Sequence, residues 1–326
     1  MFSLRDQCVL VTGGTGSFGR AFTRHLLDAA DARKVIVFSR DELKQHEMRV
    51  AGFDDPRLRF FIGDVRDIDR LRRAFRGVDV VVHAAALKQV PACEYNPIEA
   101  IKTNIDGARN VIDAALDADV KRVMGLSTDK AVNPVNLYGA TKLCAEKLFV
   151  QANAYSGVKG TKFGCVRYGN VVGSRGSVVP LFMEQRRTGR LTITDPRMTR
   201  FWITLEQGVR FVSRATCAMH GGEVFVPKIP STSILQVARV VAPEAEVVSI
   251  GMRAGEKLHE ALIGEDEARN TLEFDDQYVV LPANPTWPVG DWSHGRPLSE
   301  GFRYTSDNNP DRLTNEQLAS LLEPRH

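Results

Sequence analysis

The chain has 326 residues, of which 43% are hydrophobic and 25% are charged. This composition is ordinary for a globular protein, and a chain of this length can bury a core without disulfides or metals. Its length is that of two lobes or one large α/β domain. The formal net charge of +3 is too small to indicate a nucleic acid or a membrane surface as partner.

Cysteine usage and hydropathy exclude further classes. The number of cysteines is odd and no pair has CxxC spacing, which argues against a disulfide framework or a zinc site. The first strand pattern begins almost at the N-terminus, so we expect no signal peptide. No apolar run reaches the roughly 18 residues of a membrane-spanning helix. We therefore expect a cytoplasmic protein with no metal site and no membrane contact.

Short apolar runs alternate with helical patterns along the first half of the chain. Runs rich in β-branched residues predict strands at residues 8–11, 35–38, 59–62, 78–83, 123–127 and 163–167. Helical spacing predicts helices such as 21–30, 68–75 and 98–118. Continuous apolar strands suit a parallel sheet covered on both faces. Repeated alternation predicts right-handed βαβ units, and so an α/β fold with a doubly wound parallel sheet.

The loop composition and the strand patterns of the chain change after residue 169. Loops become richer in Gly, Pro and Arg, and the strand patterns become less regular. We therefore expect a first lobe over residues 1–169 and a smaller C-terminal lobe over 170–326, interleaved with the first. A short helix at 314–322 is predicted to close the chain.

A glycine-rich segment, TGGTGSFG at residues 12–19, follows the first predicted strand and opens the first helix. Gly14, Gly16 and Gly19 satisfy GxGxxG, and Gly13, Gly16 and Gly19 equally satisfy TGxxGxxG. In this context the motif indicates a dinucleotide-binding (Rossmann) turn, in which the backbone approaches a pyrophosphate at a helix N-terminus. The predicted cofactor contacts from this turn are Gly13, Thr15, Gly16, Ser17, Phe18 and Gly19.

The end of the second predicted strand distinguishes NADP from NAD. NAD sites usually place an acidic residue there to hold the ribose hydroxyls. This chain has Ser39, Arg40 and Asp41, followed by Lys44. A hydroxyl and two cations suit the 2′-phosphate of NADP, which Arg can bind with two hydrogen bonds. We therefore predict NADP, and Asp41 is the one feature that favours NAD.

The next two predicted strands add further cofactor contacts. Asp64 and Val65 follow the third strand, where the carboxylate can accept from the adenine amino group, cap the following helix, or do both. Small residues at the end of the fourth strand, including Ala84 and Ala86, permit close backbone contact with the cofactor.

Tyr138 and Lys142 form a YxxxK pair. At positions i and i+4 of one helix their side chains share a face. A tyrosine with a pKa of about 10 is a poor base at neutral pH. A nearby ammonium and a positive nicotinamide both favour its phenolate, which can take the proton of a substrate hydroxyl as hydride leaves.

Together the glycine turn, the alanine run at 84–86 and YGATK at 138–142 resemble the extended short-chain dehydrogenase/reductase family. Longer strings at 39–45, 83–97, 126–142, 166–180, 198–208 and 253–260 are more specific. They resemble the inverting UDP-N-acetylglucosamine 4,6-dehydratases of bacterial pseudaminic acid synthesis, over nearly the whole chain. The triplet Thr128-Asp129-Lys130 is the most informative, because dehydratases that retain the C5 configuration typically have Thr-Asp-Glu there.

The resemblance implies a lyase that converts UDP-N-acetylglucosamine to UDP-2-acetamido-2,6-dideoxy-β-L-arabino-hex-4-ulose. It implies that Asp129 is the acid at C6 and Lys130 the base at C5, while Thr128 hydrogen-bonds the developing ketone. Tyr138 would handle the C4 hydroxyl, and Lys142 would orient the ribose and tune Tyr138. A base must be neutral, so Lys130 needs a lowered pKa, which burial or nearby cations would supply and an ionised Asp129 would oppose.

The resemblance also divides the ligands between the lobes, with NADP in the first and the UDP-sugar in the second. It implies that Lys88 faces both cofactor and sugar and that Asn104 belongs to the cofactor site. Arg200 and Arg253 are candidate diphosphate clamps, and Glu256 a candidate acceptor for a uridine ribose hydroxyl. The remaining predicted sugar-nucleotide contacts are Asn170, Val171, Thr194 and Met198. Family members form homo-oligomers.

Three alternatives stay open. A UDP-sugar 4-epimerase would need only Tyr138 and the cofactor, leaving Asp129 and Lys130 without a role. A C5-retaining 4,6-dehydratase is disfavoured because no Glu follows Asp129. A non-enzymatic NADP sensor would be expected to lose Tyr138 or Lys142, and both are present.

Overall fold

The computed structural model describes residues 2–157, 160–173 and 178–322. Its first half contains six parallel strands, β1 Cys8–Thr12, β2 Lys34–Ser39, β3 Leu58–Ile62, β4 Val80–His83, β5 Arg122–Thr128 and β6 Lys162–Tyr168. They lie side by side in the order β3-β2-β1-β4-β5-β6. Each predicted strand is confirmed to within one or two residues.

Helices cover both faces of these strands. They are α1 Ser17–Asp28, α2 Glu42–Val50, α3 Ile68–Ala74, α4 Val90–Tyr95, α5 Pro97–Ile101, α6 Gly107–Asp117 and α7 Leu137–Gln151. The predicted helix 98–118 is one helical stretch interrupted by a π turn at Lys102–Asp106. The burial of β1 and β4 along their whole lengths is what a sheet with two covered faces requires.

The second half of the chain contributes to two regions. Its strands are β7 Asn170–Val171, β8 Arg190–Ile193, β9 Thr199–Ile203, β10 Val224–Pro227, β11 Ser231–Ser233, β12 Glu246–Ser249, β13 Ala261–Ile263, β14 Thr271–Glu273, β15 Gln277–Val280, β16 Arg296–Pro297 and β17 Tyr304–Thr305. Its helices are α8 Val178–Gln185, α9 Leu205–Ala218, α10 Ile234–Val241, α11 Glu265–Ala268 and α12 Asn315–Leu322. Short 3-10 turns occur at Asp129–Ala131, Ala152–Ala154 and Arg186–Thr188.

Part of the second half returns to the large sheet. Strand β10 pairs parallel with β6, and β15, β14 and β16 extend the sheet with antiparallel pairs to ten strands. The smaller sheets are β11-β9-β7, β12-β8 and β13-β17. The strands after residue 170 are therefore shared between the large sheet and a separate C-terminal region.

Two hydrophobic cores follow from this arrangement. The first surrounds the large sheet and includes Leu10, Phe22 and Phe225. The second lies among α8, β8, β9, α10 and α12 and includes Phe182 and Trp202. All five cysteines are unpaired. Within the described ranges, no helix is long and apolar enough to cross a membrane.

Candidate active site

A cavity of about 1230 Å³ runs from the β1–α1 turn, over the carboxyl ends of β2, β4 and β5, to the loop at residues 253–257. Ligands of doubly wound sheets bind at this edge. The volume exceeds the usual range for a single small-molecule site, so it has room for two ligands. Every predicted site residue except Asn104 and Asp129 lines this cavity.

The glycine turn is shaped for close backbone contact. Gly13 has φ +65°, and a Cβ there would lie 2.9 Å from the backbone of Ala85. A Cβ on Gly19 would lie 2.5 Å from the Cα of Gly14, so this position packs α1 against the turn. A Cβ on Gly16 would meet only the Gly13 carbonyl oxygen, at 3.3 Å, among the described residues. Gly13 and Gly19 thus hold the turn in shape, and Gly16 leaves the surface of the turn open to the cavity.

The N-terminus of α1 is suited to an anion. No side chain in the described part of the chain caps the helix at Gly16, and its first turn holds no acidic residue. The unsatisfied N–H groups and the helix dipole there favour a phosphate. Together with the three glycines, this end of the cavity fits the pyrophosphate of a dinucleotide.

The end of β2 presents a cation. Asp41 is the N-cap of α2 and accepts from the Lys44 backbone N–H at 3.0 Å, and its carboxylate lies 2.8 Å from the Lys44 ammonium. These hydrogen bonds from Lys44 lower the pKa of Asp41. The Arg40 side chain is 54% exposed and its guanidinium lies 3.7 Å from Asp64. Arg40 therefore faces the cavity while the charge of Asp41 is met by Lys44. The hydroxyl of Ser39 accepts from Gln45.

Asp64 holds a second arginine and does not cap α3. Its carboxylate accepts from the backbone and guanidinium of Arg66 at 2.7–3.0 Å. Burial alone would raise the pKa of Asp64, but the hydrogen bonds from Arg66 outweigh it and lower this pKa. The N-cap of α3 is Asp67, so the helix-cap interpretation of Asp64 is wrong. Val65 is buried against Gly107.

Asn104 lies behind the cavity wall. Its side chain accepts from the Leu87 N–H at 2.8 Å, and donates to the Leu87 carbonyl at 2.9 Å and to the Thr141 hydroxyl at 3.0 Å. These bonds join the loop after β4 to α7. The structure thus gives Asn104 a positioning role for the loop that carries Ala84, Ala86 and Lys88, and does not bring it to the cavity surface.

Helix α7 presents the YxxxK pair. Asn136 caps it by accepting from the Gly139 N–H at 2.7 Å. Gly139 lies so close to the 3-10 turn at Asp129–Ala131 that a Cβ there would be 2.1 Å from the Lys130 carbonyl oxygen. This contact places Tyr138 beside the 3-10 turn after β5.

Burial is the largest influence on the pKa of both members of the pair. Burial raises the pKa of Tyr138 to about 12, although Lys130 and a hydrogen bond with Thr128 act in the opposite direction. Burial lowers the pKa of Lys142. Desolvation thus outweighs the effect of the neighbouring cation Lys130 on the pKa of Tyr138. A phenolate favoured by the positive nicotinamide of a bound cofactor stays a prediction.

The triplet after β5 forms a buried ion cluster with a residue far away in sequence. Asp129 Oδ1 accepts from the Thr128 hydroxyl at 2.9 Å and lies 3.1 Å from Lys130 Nζ. The same ammonium lies 3.1 Å from Oε1 of Glu260, which directly precedes β13. Arg200 Nε is 3.8 Å from Glu260. We call Asp129, Lys130, Arg200 and Glu260 the acid–base cluster.

Burial and two carboxylates act in opposite directions on the pKa of Lys130, and a lowering by the cationic ring of a bound cofactor stays a prediction. Burial would lower the pKa of Lys130, but the carboxylates of Asp129 and Glu260 outweigh it and raise this pKa. Burial raises the pKa of Asp129, and the charge of Glu260 acts in the same direction. For Glu260 burial acts upward, but Lys130 and Arg200 prevail and lower its pKa. The directions of these shifts favour a proton on Asp129 over one on Glu260, and they favour the ammonium form of Lys130.

Arg200 lies in the cavity wall with most of its donors engaged by protein. Its guanidinium donates to the carbonyls of Thr199 at 2.7 Å, Leu258 at 3.1 Å and Lys257 at 3.0 Å. This tethering fits a role in holding Glu260 better than the predicted role as a diphosphate clamp.

The loop at residues 253–257 packs against the segment between the 3-10 turn and α7. Asn136 donates to the Gly255 carbonyl at 2.8 Å, and the Lys257 ammonium donates to the Val132 carbonyl. Arg253 is exposed, and its backbone N–H donates to the Glu256 carboxylate at 3.0 Å. The predicted contacts Arg253 and Glu256 therefore sit on a loop that is bonded to the segment between the turn carrying Lys130 and α7.

The remaining predicted contacts line the far end of the cavity. Asn170 and Val171 form β7 and pair with β9. Met198 is buried, and the Thr194 hydroxyl lies 3.0 Å from its sulfur. Sequence reasoning missed Glu260, although it is the last residue of the string 253–260. No cluster of three or more His, Cys, Asp or Glu side chains within the described ranges could hold a metal ion.

Comparison with known proteins gives consistent matches. A family model described as polysaccharide biosynthesis protein matches residues 9–282. An inverting UDP-N-acetylglucosamine 4,6-dehydratase from Campylobacter jejuni subsp. jejuni serotype O:2 is 53% identical over 99% of this chain and 98% of its own length. A UDP-glucose 4-epimerase from Rickettsia conorii is 42% identical over 97% of this chain and 95% of its own length.

Two solved structures share the fold. The X-ray structure of Pen from Bacillus thuringiensis is 36% identical, with a TM-score of 0.90 over 98% of this chain and 97% of that chain. A double mutant of DesIV, a dTDP-glucose 4,6-dehydratase from Streptomyces venezuelae with NAD bound, is 25% identical, with a TM-score of 0.68 over 79% of this chain and 88% of that chain. These likenesses confirm the predicted α/β fold with a doubly wound sheet.

Proposed function

Because this chain belongs to the family of polysaccharide biosynthesis proteins, we propose that it is a lyase that carries out C5-inverting 4,6-dehydration of UDP-N-acetylglucosamine. The product is UDP-2-acetamido-2,6-dideoxy-β-L-arabino-hex-4-ulose, the first intermediate of a pseudaminic acid-type pathway. The observation that carries the proposal is the Asp129–Lys130 pair beside Tyr138 at the end of β5. The name of the Campylobacter relative supports it.

The cofactor is a nicotinamide dinucleotide, as in the Streptomyces dehydratase with NAD bound, and we propose NADP. The turn from Gly13 to Gly19 would hold the pyrophosphate, and Arg40 with Lys44 the 2′-phosphate. Asp41, the feature that favoured NAD, is already paired with Lys44. In this proposal residues 1–169 hold the cofactor and residues 170–326 supply most contacts to the UDP-sugar, among them Arg253 and Glu256.

The chain's own groups carry the proton transfers. Tyr138 takes the proton of the C4 hydroxyl, and Thr128 hydrogen-bonds the resulting ketone. The ketone acidifies the C5 hydrogen, which Lys130 removes in its neutral form. Burial favours that form, and a cationic nicotinamide would favour loss of the Lys130 proton before hydride transfer. Asp129 gives its proton to the departing C6 hydroxyl. When bound, NADP supplies hydride chemistry, accepting from C4 and returning to C6, so there is no net oxidation.

A UDP-sugar 4-epimerase is the second candidate, because the Rickettsia relative has that name. Epimerisation at C4 needs hydride transfer and Tyr138 but no acid or base at C5 and C6. The buried acid–base cluster would then have no chemical role, although such a cluster is costly to bury. This cost favours the dehydratase.

The test is incubation with UDP-N-acetylglucosamine and NADP, with the sugar followed by proton NMR. We expect a 4-keto-6-deoxy product from the wild type and none from Tyr138→Phe. Asp129→Asn should lose about a hundredfold or more in turnover, the usual contribution of a general acid. Tyr155→Phe, at a tyrosine that is exposed, is the matched control and should behave as wild type. A UDP-N-acetylgalactosamine product would identify an epimerase instead.

Two further proposals concern the protein's setting. Five unpaired cysteines are compatible with a reducing compartment, and we propose the cytoplasm. We also propose a homo-oligomer, from the family resemblance. Light scattering of the purified protein measures its mass in solution and would contradict this if it gave a single chain.

A further inference from the structure

Glu260 has a different electrostatic environment from Asp129, although both contact the same ammonium. Two cations lie within 4.0 Å of Glu260, namely Lys130 at 3.1 Å and Arg200 at 3.8 Å. Among the described residues, Asp129 has one cation within that distance, Lys130 at 3.1 Å, and the Thr128 hydroxyl at 2.9 Å. A single negative charge in this pair is therefore more stable on Glu260.

Burial makes it costly for both carboxylates to be ionised. The Asp129 and Glu260 side chains are 1% and 3% exposed. Oδ2 of Asp129 and Oε2 of Glu260 are buried without a hydrogen-bond partner among the described residues. Two buried carboxylates that share the Lys130 ammonium repel each other, which favours a proton on the one with fewer cations nearby. Lys257 on the adjoining loop interacts with Glu260 and, more weakly, with Asp129, while Tyr138 of α7 faces Asp129.

We propose that Glu260 is a positioning residue that carries the negative charge paired with the Lys130 ammonium, so that Asp129 keeps the proton it gives to the C6 hydroxyl. Arg200 holds Glu260 in place through its bonds to the 257–258 backbone. The last step, delivery of the proton to C6, rests on the proposed function, but the charge distribution does not. Replacing Glu260 by a neutral group should move the negative charge onto Asp129.

The charge distribution is tested on the substrate-free protein by infrared difference spectroscopy. Wild-type protein at neutral pH should show the carbonyl stretch of one buried carboxylic acid that Asp129→Asn lacks. Glu260→Gln should also lack it, because Asp129 becomes the counter-ion of Lys130. Glu265→Gln, the same change at an exposed residue of α11, should keep it. Absence of this band from the wild type, or its persistence in Glu260→Gln, would overturn the proposal.

The chemical consequence is tested by separating the partial reactions. With Glu260→Gln we expect oxidation at C4 to continue while elimination at C6 slows about a hundredfold. Reduced nicotinamide should therefore accumulate, as seen by its near-ultraviolet absorbance. Activity should recover at lower pH, where Asp129 regains its proton, so the alkaline limb of the pH–rate profile moves to lower pH. A uniform loss with an unchanged pH profile would indicate a merely structural role and overturn the proposal.

Two controls keep the outcomes separate. If Glu260→Gln does not fold, Glu260→Asp, with its shorter carboxylate, should show the same changes at smaller size. The comparison of wild type with Asp129→Asn in the infrared does not depend on either Glu260 variant. If the wild type makes no 4-keto product from UDP-N-acetylglucosamine, the proposed function fails, while the infrared result still decides the charge on Glu260.

Discussion

Gly139 packs α7 against the 3-10 turn that carries Lys130, and its replacement by alanine gives a quantitative prediction. The added Cβ would lie 2.1 Å from the Lys130 carbonyl oxygen, whereas real Cβ atoms essentially never approach within 3.0 Å. The gap between α7 and the turn must therefore open by about 0.9 Å. A misplacement of about 1 Å can cost roughly a hundredfold in rate. Forced overpacking typically costs about 1–3 kcal/mol of stability.

We expect Gly139→Ala to lose about a hundredfold in the rate of 4-keto product formation, with a much smaller change in NADP affinity. Gly208→Ala is the matched control, since that glycine is also buried near the start of a helix but has its nearest neighbour, Ile203 Cδ1, at 3.9 Å. It should gain about 0.5–1 kcal/mol from the better helix propensity of alanine. Product formation is measured by NMR and stability by urea unfolding. Wild-type turnover in Gly139→Ala would refute the reasoning.

Three further predictions address the cofactor, the core and pH. Arg40→Ala should raise the Kd for NADP about tenfold or more, because a charge-assisted bond to the 2′-phosphate is lost, and should leave the Kd for NAD unchanged. Equal changes in the two Kd values, each measured by titration, would contradict this prediction. Arg167 is fully buried and its guanidinium is paired with Glu146. Arg167→Met should therefore lower the free energy of unfolding, measured in urea, by about 3–5 kcal/mol. A loss under about 1 kcal/mol, which is typical of an exposed ion pair, would contradict this prediction. Burial lowers the pKa of His83 from 6.5 to about 3, so the unfolded chain binds a proton that the folded one does not, and stability falls as pH drops below 6.5. Between pH 6.5 and about 3, the free energy of unfolding should fall by about 1.4 kcal/mol per pH unit more in the wild type than in His83→Gln. The control His46→Gln, at an exposed histidine, should show the same pH dependence of stability as the wild type.

The architecture was largely predictable because it depends on local periodicity. Buried parallel strands are short apolar runs, and the structure extends most predicted strands by a residue at one or both ends. The helix predicted at 98–118 contains a π turn at Lys102–Asp106, and nothing in the apolar spacing signals this interruption. The return of β10, β14 and β15 to the large sheet depends on long-range pairing that local patterns do not contain.

Within the candidate site, the identities of the residues were easier to predict than their protonation states and their contacts. The strings that carried the resemblance place Tyr138, Lys130 and Arg253 on one cavity. The protonation of Lys130 depends on burial, on Asp129 and on Glu260, which lies 130 positions after Lys130 in the sequence. The contacts of Asn104 and Arg200 likewise depend on which backbone carbonyls lie nearby. Such partners are created by the fold, so no local pattern could have indicated them.

The central claim is that the acid–base cluster inverts C5 during dehydration. Its most direct test is to incubate the wild-type protein with UDP-N-acetylglucosamine and NADP in deuterated water and to follow the sugar by proton NMR. The account predicts a 6-deoxy-4-keto sugar with L-arabino ring couplings and deuterium at C5. A product with D-xylo couplings would contradict the role of Lys130, and a product epimerised only at C4 would contradict dehydration itself.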